Sequence, residues 1–248
     1  MRTAFERVHN FRDIADTIGT LATGERIAPG RIFRSAVLAQ ASAADRKVLR
    51  DLGVRTVIDL RSQEELDAFG RFSAPDIRTL HMSLLDQQSR DKLAAASSLA
   101  DCYISFLNGP SLPTALVQVL ETLADPQISP VVVSCSAGKD RTGIVIAVLG
   151  LLLGAKVDAV VADYAATGAN LDGLYRQWAE HPRSSIVADL AAGRPNLLAP
   201  PEAMLGLCQT LGAEDLARLI ARYGALPDLT ARLRHAFLVG PATPTAVP

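Results

Sequence analysis

SCSAGKDRTG, residues 134–143, lies between two apolar runs, VVV at 131–133 and IVIAVLGLLL at 144–153. The first run has the continuous β-branched character of a strand covered on both faces. The second is too short to cross a bilayer, is flanked by Arg141 and Lys156, and predicts a buried helix. The ten residues between them therefore turn from a strand into a helix. A loop of that kind wraps the helix N-terminus, where unpaired amide groups and the positive end of the dipole attract an anion.

Working outward, RIFRSA (31–36), RTVIDL (55–60) and IRTLHMSL (77–84) join PVVVSC (130–135) as strand candidates. Helical signals fall between them. Ser42 caps a segment that runs to Leu52 and stops at Gly53, and Ser62 with Glu65 forms a capping box. Leu99, Cys102, Tyr103 and Phe106 share one helical stripe, and Leu116, Val119, Leu120 and Leu123 share another. The C-terminal third repeats this period at Met204–Leu207–Cys208–Leu211, at Leu216–Leu219–Ile220–Tyr223, and at Leu229–Leu233–Phe237. The pattern predicts an α/β fold: a central, mostly parallel sheet of four to five strands flanked by helices, with a helical C-terminal third. We expect one domain over residues 1–239 and a disordered Pro-rich tail over 240–248.

The bulk composition narrows the function. The 248 residues are 49% hydrophobic and 21% charged, with a net charge of −1. No global basic field exists to recruit nucleic acid, so any phosphate binding must be local. Three scattered cysteines, at 102, 135 and 208, make neither a disulfide framework nor a metal cluster, and they fit a reducing compartment. The charged start MRTAFERVHNFRD lacks the apolar segment of a secretory signal. The expectation is a cytoplasmic protein without a transmembrane segment, with export by a route needing no signal peptide left open. No metal and no cofactor are expected.

The loop residues point to phosphate chemistry. Cys135 and Arg141 stand five residues apart, the sulfur at the strand end and the guanidinium at the helix start. Arg141 offers a planar fork to two phosphate oxygens. Gly138 and Gly143 allow close backbone approaches, and the loop from Ser136 through Ala137, Gly138, Lys139, Asp140, Arg141 and Thr142 to Gly143 forms the anion site. The same field favours a Cys135 thiolate, and Thr142 can donate its hydroxyl to that sulfur. These parts describe a phosphocysteine mechanism. A lone strand-end cysteine is usually a small core hydrophobe, but the whole Cys-x5-Arg-Thr-Gly set argues against that role here. A nucleotide-binding loop is excluded because Asp140 follows Lys139 where Ser or Thr is required. Lys139 is expected at the rim of the site or solvated. Asp140 is expected to pair with a cation such as Arg12 or Arg34, or to serve as a backup proton donor.

CSAGKDRTG resembles the signature of the bacterial tyrosine-phosphatase-like family, which includes the secreted mycobacterial and listerial tyrosine and lipid phosphatases. NFRDIADT (10–17), GRIFRSA (30–36), LGVRTVIDLRSQEE (52–65) and VVADYAATGANL (160–171) resemble further blocks of that family, in its order. The resemblance implies a cysteine-phosphatase-like fold and a metal-independent hydrolase acting on phosphotyrosine, with phosphoserine, phosphothreonine or phosphoinositides as further substrates. It also implies a general acid after the third strand, which HMSLLD (81–86) assigns to Asp86, with Asp91 as the fallback. One departure stands out: Ser134 occupies the place where the family has His, which implies a slower enzyme. Two other readings remain, a phosphatase of a small phosphorylated metabolite and a phosphate-binding module without catalysis. Asp59 and Arg61 are read as an ion pair buttressing the loop, and Tyr175 and Trp178 as helix packing or part of a lid.

Overall fold

The computed structural model describes residues 5–109, 111–180 and 197–240. The expected tail, from residue 241 on, lies outside them. Seven strands are present among the described residues: β1 (Arg12–Asp13), β2 (Arg26–Ile27), β3 (Ile32–Ser35), β4 (Thr56–Asp59), β5 (Arg78–His81), β6 (Val131–Ser134) and β7 (Leu238–Val239). The helices preceding the loop are α1 (Ala43–Asp51), α2 (Gln63–Phe69), α3 (Gln87–Ala94), α4 (Leu99–Leu107) and α5 (Ser111–Leu123). After it come α6 (Asp140–Leu153), α7 (Val157–Ala165), α8 (Asp172–Ala179), α9 (Pro201–Thr210), α10 (Ala213–Arg222) and α11 (Leu229–Phe237).

Five strands form one sheet in the order β1-β3-β6-β4-β5. β3, β6, β4 and β5 run parallel, and β1 closes one edge antiparallel. Each of the four expected strands is present, trimmed by one to three residues at its ends. Val131, Val132 and Val133 are fully buried. Val131 and Val133 join the larger core with α5 and α6, while Val132 faces the opposite core with Phe33, Leu49 and Val57. Both faces of β6 are thus covered, as its continuous apolar run requires.

Register then fixes the site. Ser134 stands level with Ser35 on one side and Asp59 on the other, and Asp59 stands level with His81. The segments that leave these strands emerge together at the carboxyl edge of the sheet, where open α/β sheets place their ligands.

The capping signals are realised in atoms. Ser42 and Asp45 cap α1 reciprocally, as Ser62 and Glu65 cap α2, and Gly53 stops α1 at a positive φ of 71°. The stripes on α4 and α5 and the three C-terminal periods face the core. α9 packs on α4 and α7, and α11 on α5 and α6. The C-terminal third is not wholly helical, however. β7 pairs antiparallel with β2, a two-residue element too short to register as a period.

Candidate active site

The loop between β6 and α6 lies against the backbone that leaves β3. Gly138 has a φ of 66°, and a Cβ there would fall 2.3 Å from the Ser35 carbonyl oxygen, so only glycine permits the approach. Gly143 allows a second contact, between α6 and α7, with Tyr164 Cδ2 at 3.0 Å from the position of an added Cβ. Three successive loop carbonyls are taken up by donors from outside, and the fourth, of Lys139, accepts the Gly143 amide of α6 at 2.7 Å. The Ser136 carbonyl accepts from the Val37 amide at 3.1 Å. Asn10 Nδ2 donates to the Ala137 carbonyl at 2.9 Å and the Gly138 carbonyl at 3.1 Å. Arg34 Nη2 donates to the Gly138 carbonyl at 2.6 Å and reaches the Lys139 carbonyl at 3.5 Å. Among the described residues, the backbone amides of 136–141 donate no hydrogen bond.

Arg141 is 7% exposed and is gripped by Glu65. Its Nη1 donates to Glu65 Oε2 at 2.5 Å and its Nη2 to Oε1 at 2.8 Å. Nη2 also reaches Ser136 Oγ at 3.0 Å, and that hydroxyl donates to Glu65 Oε1. Burial opposes the guanidinium charge, but the Glu65 bonds and the nearby Cys135 and Asp140 charges hold its pKa above the ordinary arginine value. The guanidinium thus returns to Ser136, the neighbour of Cys135 in the loop. Burial likewise pushes Glu65 up, yet Arg141, Ser136 and the Ser62 amide bring its pKa down to about 2. Three of the five Arg141 N–H groups serve Glu65 and Ser136, which leaves Nε–H and one further hydrogen for an anion.

Behind this pair stands a second. Arg61 and Asp59, both buried, bond each other through Nε and Nη2, and Arg61 Nη2 also donates to the Gly70 carbonyl at 3.0 Å. The pair links the segment before α2 to the Gly70 carbonyl at its far end, so it braces the helix that carries Glu65. Cys135 itself is 2% exposed. Thr142 Oγ1 is buried and has no hydrogen-bond partner, so the expected bond to the sulfur is not formed. The Ser134 hydroxyl donates back to the Ile58 carbonyl at 3.4 Å, a bond that ties β6 to β4 and does not reach the loop.

Two expectations about neighbouring charges are corrected. Lys139 is not at the rim: it is 1% exposed, and its Nζ lies 2.6 Å from Asp140 Oδ1. Asp140 takes its cation from Lys139, not from Arg12 or Arg34, and it also accepts the Tyr103 hydroxyl at 2.5 Å. It opens α6 and bonds Tyr103 on α4, whereas Arg12 and Arg34 bond Asp163 on α7. Tyr103 in turn meets the Tyr164 hydroxyl at 2.9 Å. Asp86 caps α3: its carboxylate accepts the Ser89 amide at 2.8 Å and the Ser111 hydroxyl at 2.7 Å. Those bonds, the Ser111 hydroxyl first, lower its pKa. Asp91 lies within α3, bonded by Gln87. Tyr175 and Trp178 pack with Leu171, Leu174, Ala36 and Ala137, so α8 covers the loop from the side. Cys102 and Cys208 are buried core residues, and burial pushes both thiols up to about 11. Among the described residues, no group of three or more His, Cys, Asp or Glu side chains is placed to hold a metal, and no helix is long and apolar enough to cross a membrane.

The sequence reading missed Asn10, Glu65, Tyr103 and Asp163 as members of the site. Glu65 carried a signal, but only as a capping residue, and the other three act from segments remote in sequence.

A family model described as the tyrosine phosphatase family matches residues 3–231. The chain belongs to that family. It is a phosphoric monoester hydrolase of the protein-tyrosine-phosphatase type, acting on phosphorylated substrates. Triple specificity protein phosphatase PtpB of Mycobacterium tuberculosis is 32% identical over 214 residues, which span 73% of this chain and 75% of that protein. A tyrosine-protein phosphatase of Nostoc commune is 33% identical over 146 residues, 56% of this chain and 49% of the relative. Among solved structures, the core catalytic domain of the PP-IP phosphatase SIW14 from S. cerevisiae aligns with a TM-score of 0.40 at 16% identity, over 78% of this phosphatase and 98% of that chain.

Proposed function

We propose that this phosphatase dephosphorylates phosphotyrosine in proteins, without metal, through a phosphocysteine at Cys135, and that phosphoserine, phosphothreonine and phosphoinositides are further substrates. The name of its mycobacterial relative, a triple specificity phosphatase, supports the breadth. One observation carries the mechanism: the carbonyls of 136–138 are engaged by donors from outside the loop and that of 139 by the Gly143 amide, while the amides of 136–141 remain unclaimed beside Cys135 and Arg141. Unclaimed amides aimed at one point form a preorganised oxyanion cradle.

In the first step the Cys135 thiolate attacks phosphorus, the P–O bond to the leaving group breaks, and that oxygen takes a proton. Amides and Arg141 hold the equatorial oxygens as charge develops. In the second step water attacks the phosphocysteine, gives up a proton to the same carboxylate, and the S–P bond breaks to release phosphate and regenerate the thiolate. We assign the proton donor to Asp140. Asp140 stands at the start of α6, next to Arg141 and directly after the loop, whereas the Asp86 carboxylate is engaged in capping α3 and its contacts lie on α3 and at the start of α5.

Hydrolysis of p-nitrophenyl phosphate in the presence of a chelator tests the reading. Cys135→Ser should remove turnover and leave phosphate binding intact; activity that needs metal and survives this change would overturn it. Asp140→Asn should lower kcat far more for alkyl than for nitrophenyl leaving groups. The same split in Asp86→Ala instead would return the acid role to Asp86.

A further inference from the structure

We propose that Asn10 and Arg34 are positioning residues for the phosphate loop, aligned by Asp163: they hold its carbonyls outward so that its amides face the anion. The proposal rests on the phosphatase reading and adds to it the source of the loop's preorganisation.

The argument begins with the peptide plane. A trans peptide points its C=O and the following N–H in opposite directions. Fixing the carbonyls of 136–139 outward therefore fixes the amides of 137–140 inward. The carbonyls of Ser136 and Lys139 are held by backbone amides, of Val37 and of Gly143, but those of 137 and 138 rely on two side chains, Asn10 and Arg34. Both are buried, at 4% and 0% exposure. Asn10 has a φ of 55°, the sole positive φ outside glycine among the described residues. Asn tolerates that conformation better than most residue types, and the turn delivers its amide beneath the loop. The Asn10 carboxamide is saturated: Nδ2 serves two carbonyls and Oδ1 accepts from Arg12 Nη1. That last contact also settles which way the amide faces.

Asp163, 1% exposed, is the hub. One oxygen takes Arg34 Nη1, the other takes Arg12 Nε at 3.0 Å and the Thr17 hydroxyl at 2.7 Å. Arg12 and Arg34 are thus aligned by one carboxylate, Arg34 touching the loop directly and Arg12 through Asn10. Two guanidiniums against one carboxylate also leave a net positive charge behind the loop, where low polarity extends its reach. All four residues lie in the blocks NFRD, GRIFRSA and VVADY, outside the loop in sequence and gathered behind it in the fold.

The test uses the full chain and inorganic phosphate as the probe. Asn10→Gly keeps the positive φ and deletes the donor, while Asn10→Asp keeps the shape and turns a carboxylate toward two carbonyls. Each should weaken the calorimetric Kd for phosphate at least tenfold and raise KM for p-nitrophenyl phosphate in parallel, with circular dichroism unchanged. If Asn10→Gly fails to fold, the isosteric Asn10→Asp supplies the comparison. Folded variants that bind phosphate within twofold of the parent overturn the proposal. A parent that binds phosphate but hydrolyses nothing overturns the phosphatase reading and leaves the clamp standing.

Discussion

Glu65 joins two jobs in one side chain. It closes the cap of α2 through the Ser62 amide and holds the Arg141 fork through both oxygens. Its carboxyl, opposed by burial but held by Arg141, Ser136 and Ser62, titrates at about 2. A depressed carboxyl pKa contributes stability that is complete above the unfolded value, about 4.3, and is lost as pH falls through the folded one. The shift is equivalent to about 3 kcal/mol. Glu65→Gln should therefore flatten the fall in urea-measured stability between about pH 5 and pH 2 by that order. At neutral pH the same change should lower kcat/KM roughly 10- to 100-fold, because a misplaced Arg141 loses its alignment with the transition state. An unchanged acid limb together with unchanged kinetics would show that the pair is idle.

At the scale of elements, α1 anchors the strap that carries Asn10. Asp45, 1% exposed, accepts the amides of Glu6 at 2.7 Å, Arg7 at 3.0 Å and Ser42 at 3.0 Å. Asp45→Ala removes three charge-assisted acceptor bonds and should cost about 3 kcal/mol in chemical denaturation. A loss below about 1 kcal/mol would mean that solvent replaces those bonds freely. Elements of this kind were legible in the amino-acid sequence where a local rule governed them. The capping boxes, the VVV strand and the α4 stripe follow from spacing and burial alone. Pairings between distant segments follow from tertiary contact and left no local trace. Arg12 and Arg34 could be recognised as buried cations in search of an anion, but spacing could not choose Asp163 over Asp140. Asp86 was assigned as the acid from the resemblance, through HMSLLD at the end of the third strand, and the residues after it show no apolar period, for α3 has no buried residue. Its helix is set by capping, which the absence of a hydrophobic stripe concealed.

For the whole molecule, the catalytic edge depends on helices far down the chain. α11 lays Leu229, Leu233 and Phe237 into the same core that covers α6, so the C-terminal third is part of the support for the loop. Leu233, fully buried, should lose about 2–5 kcal/mol on change to Ala, measured by urea unfolding. The kcat of the protein that remains folded should stay near the parent value, because Leu233 belongs to the apolar core and supplies no polar group to the site. A matching collapse in kcat would mean that the core and the loop are coupled more tightly than the packing indicates.

The small ladder of β2 and β7, extended by the Ala28 amide on the Phe237 carbonyl at 2.8 Å, joins an early part of the chain to a late one. During synthesis the ribosome releases Arg26 and Ile27 long before their partners exist, so that edge must wait exposed through nearly the entire elongation. Nascent chains stalled ahead of Leu238 would then be the species most prone to stray pairing and degradation.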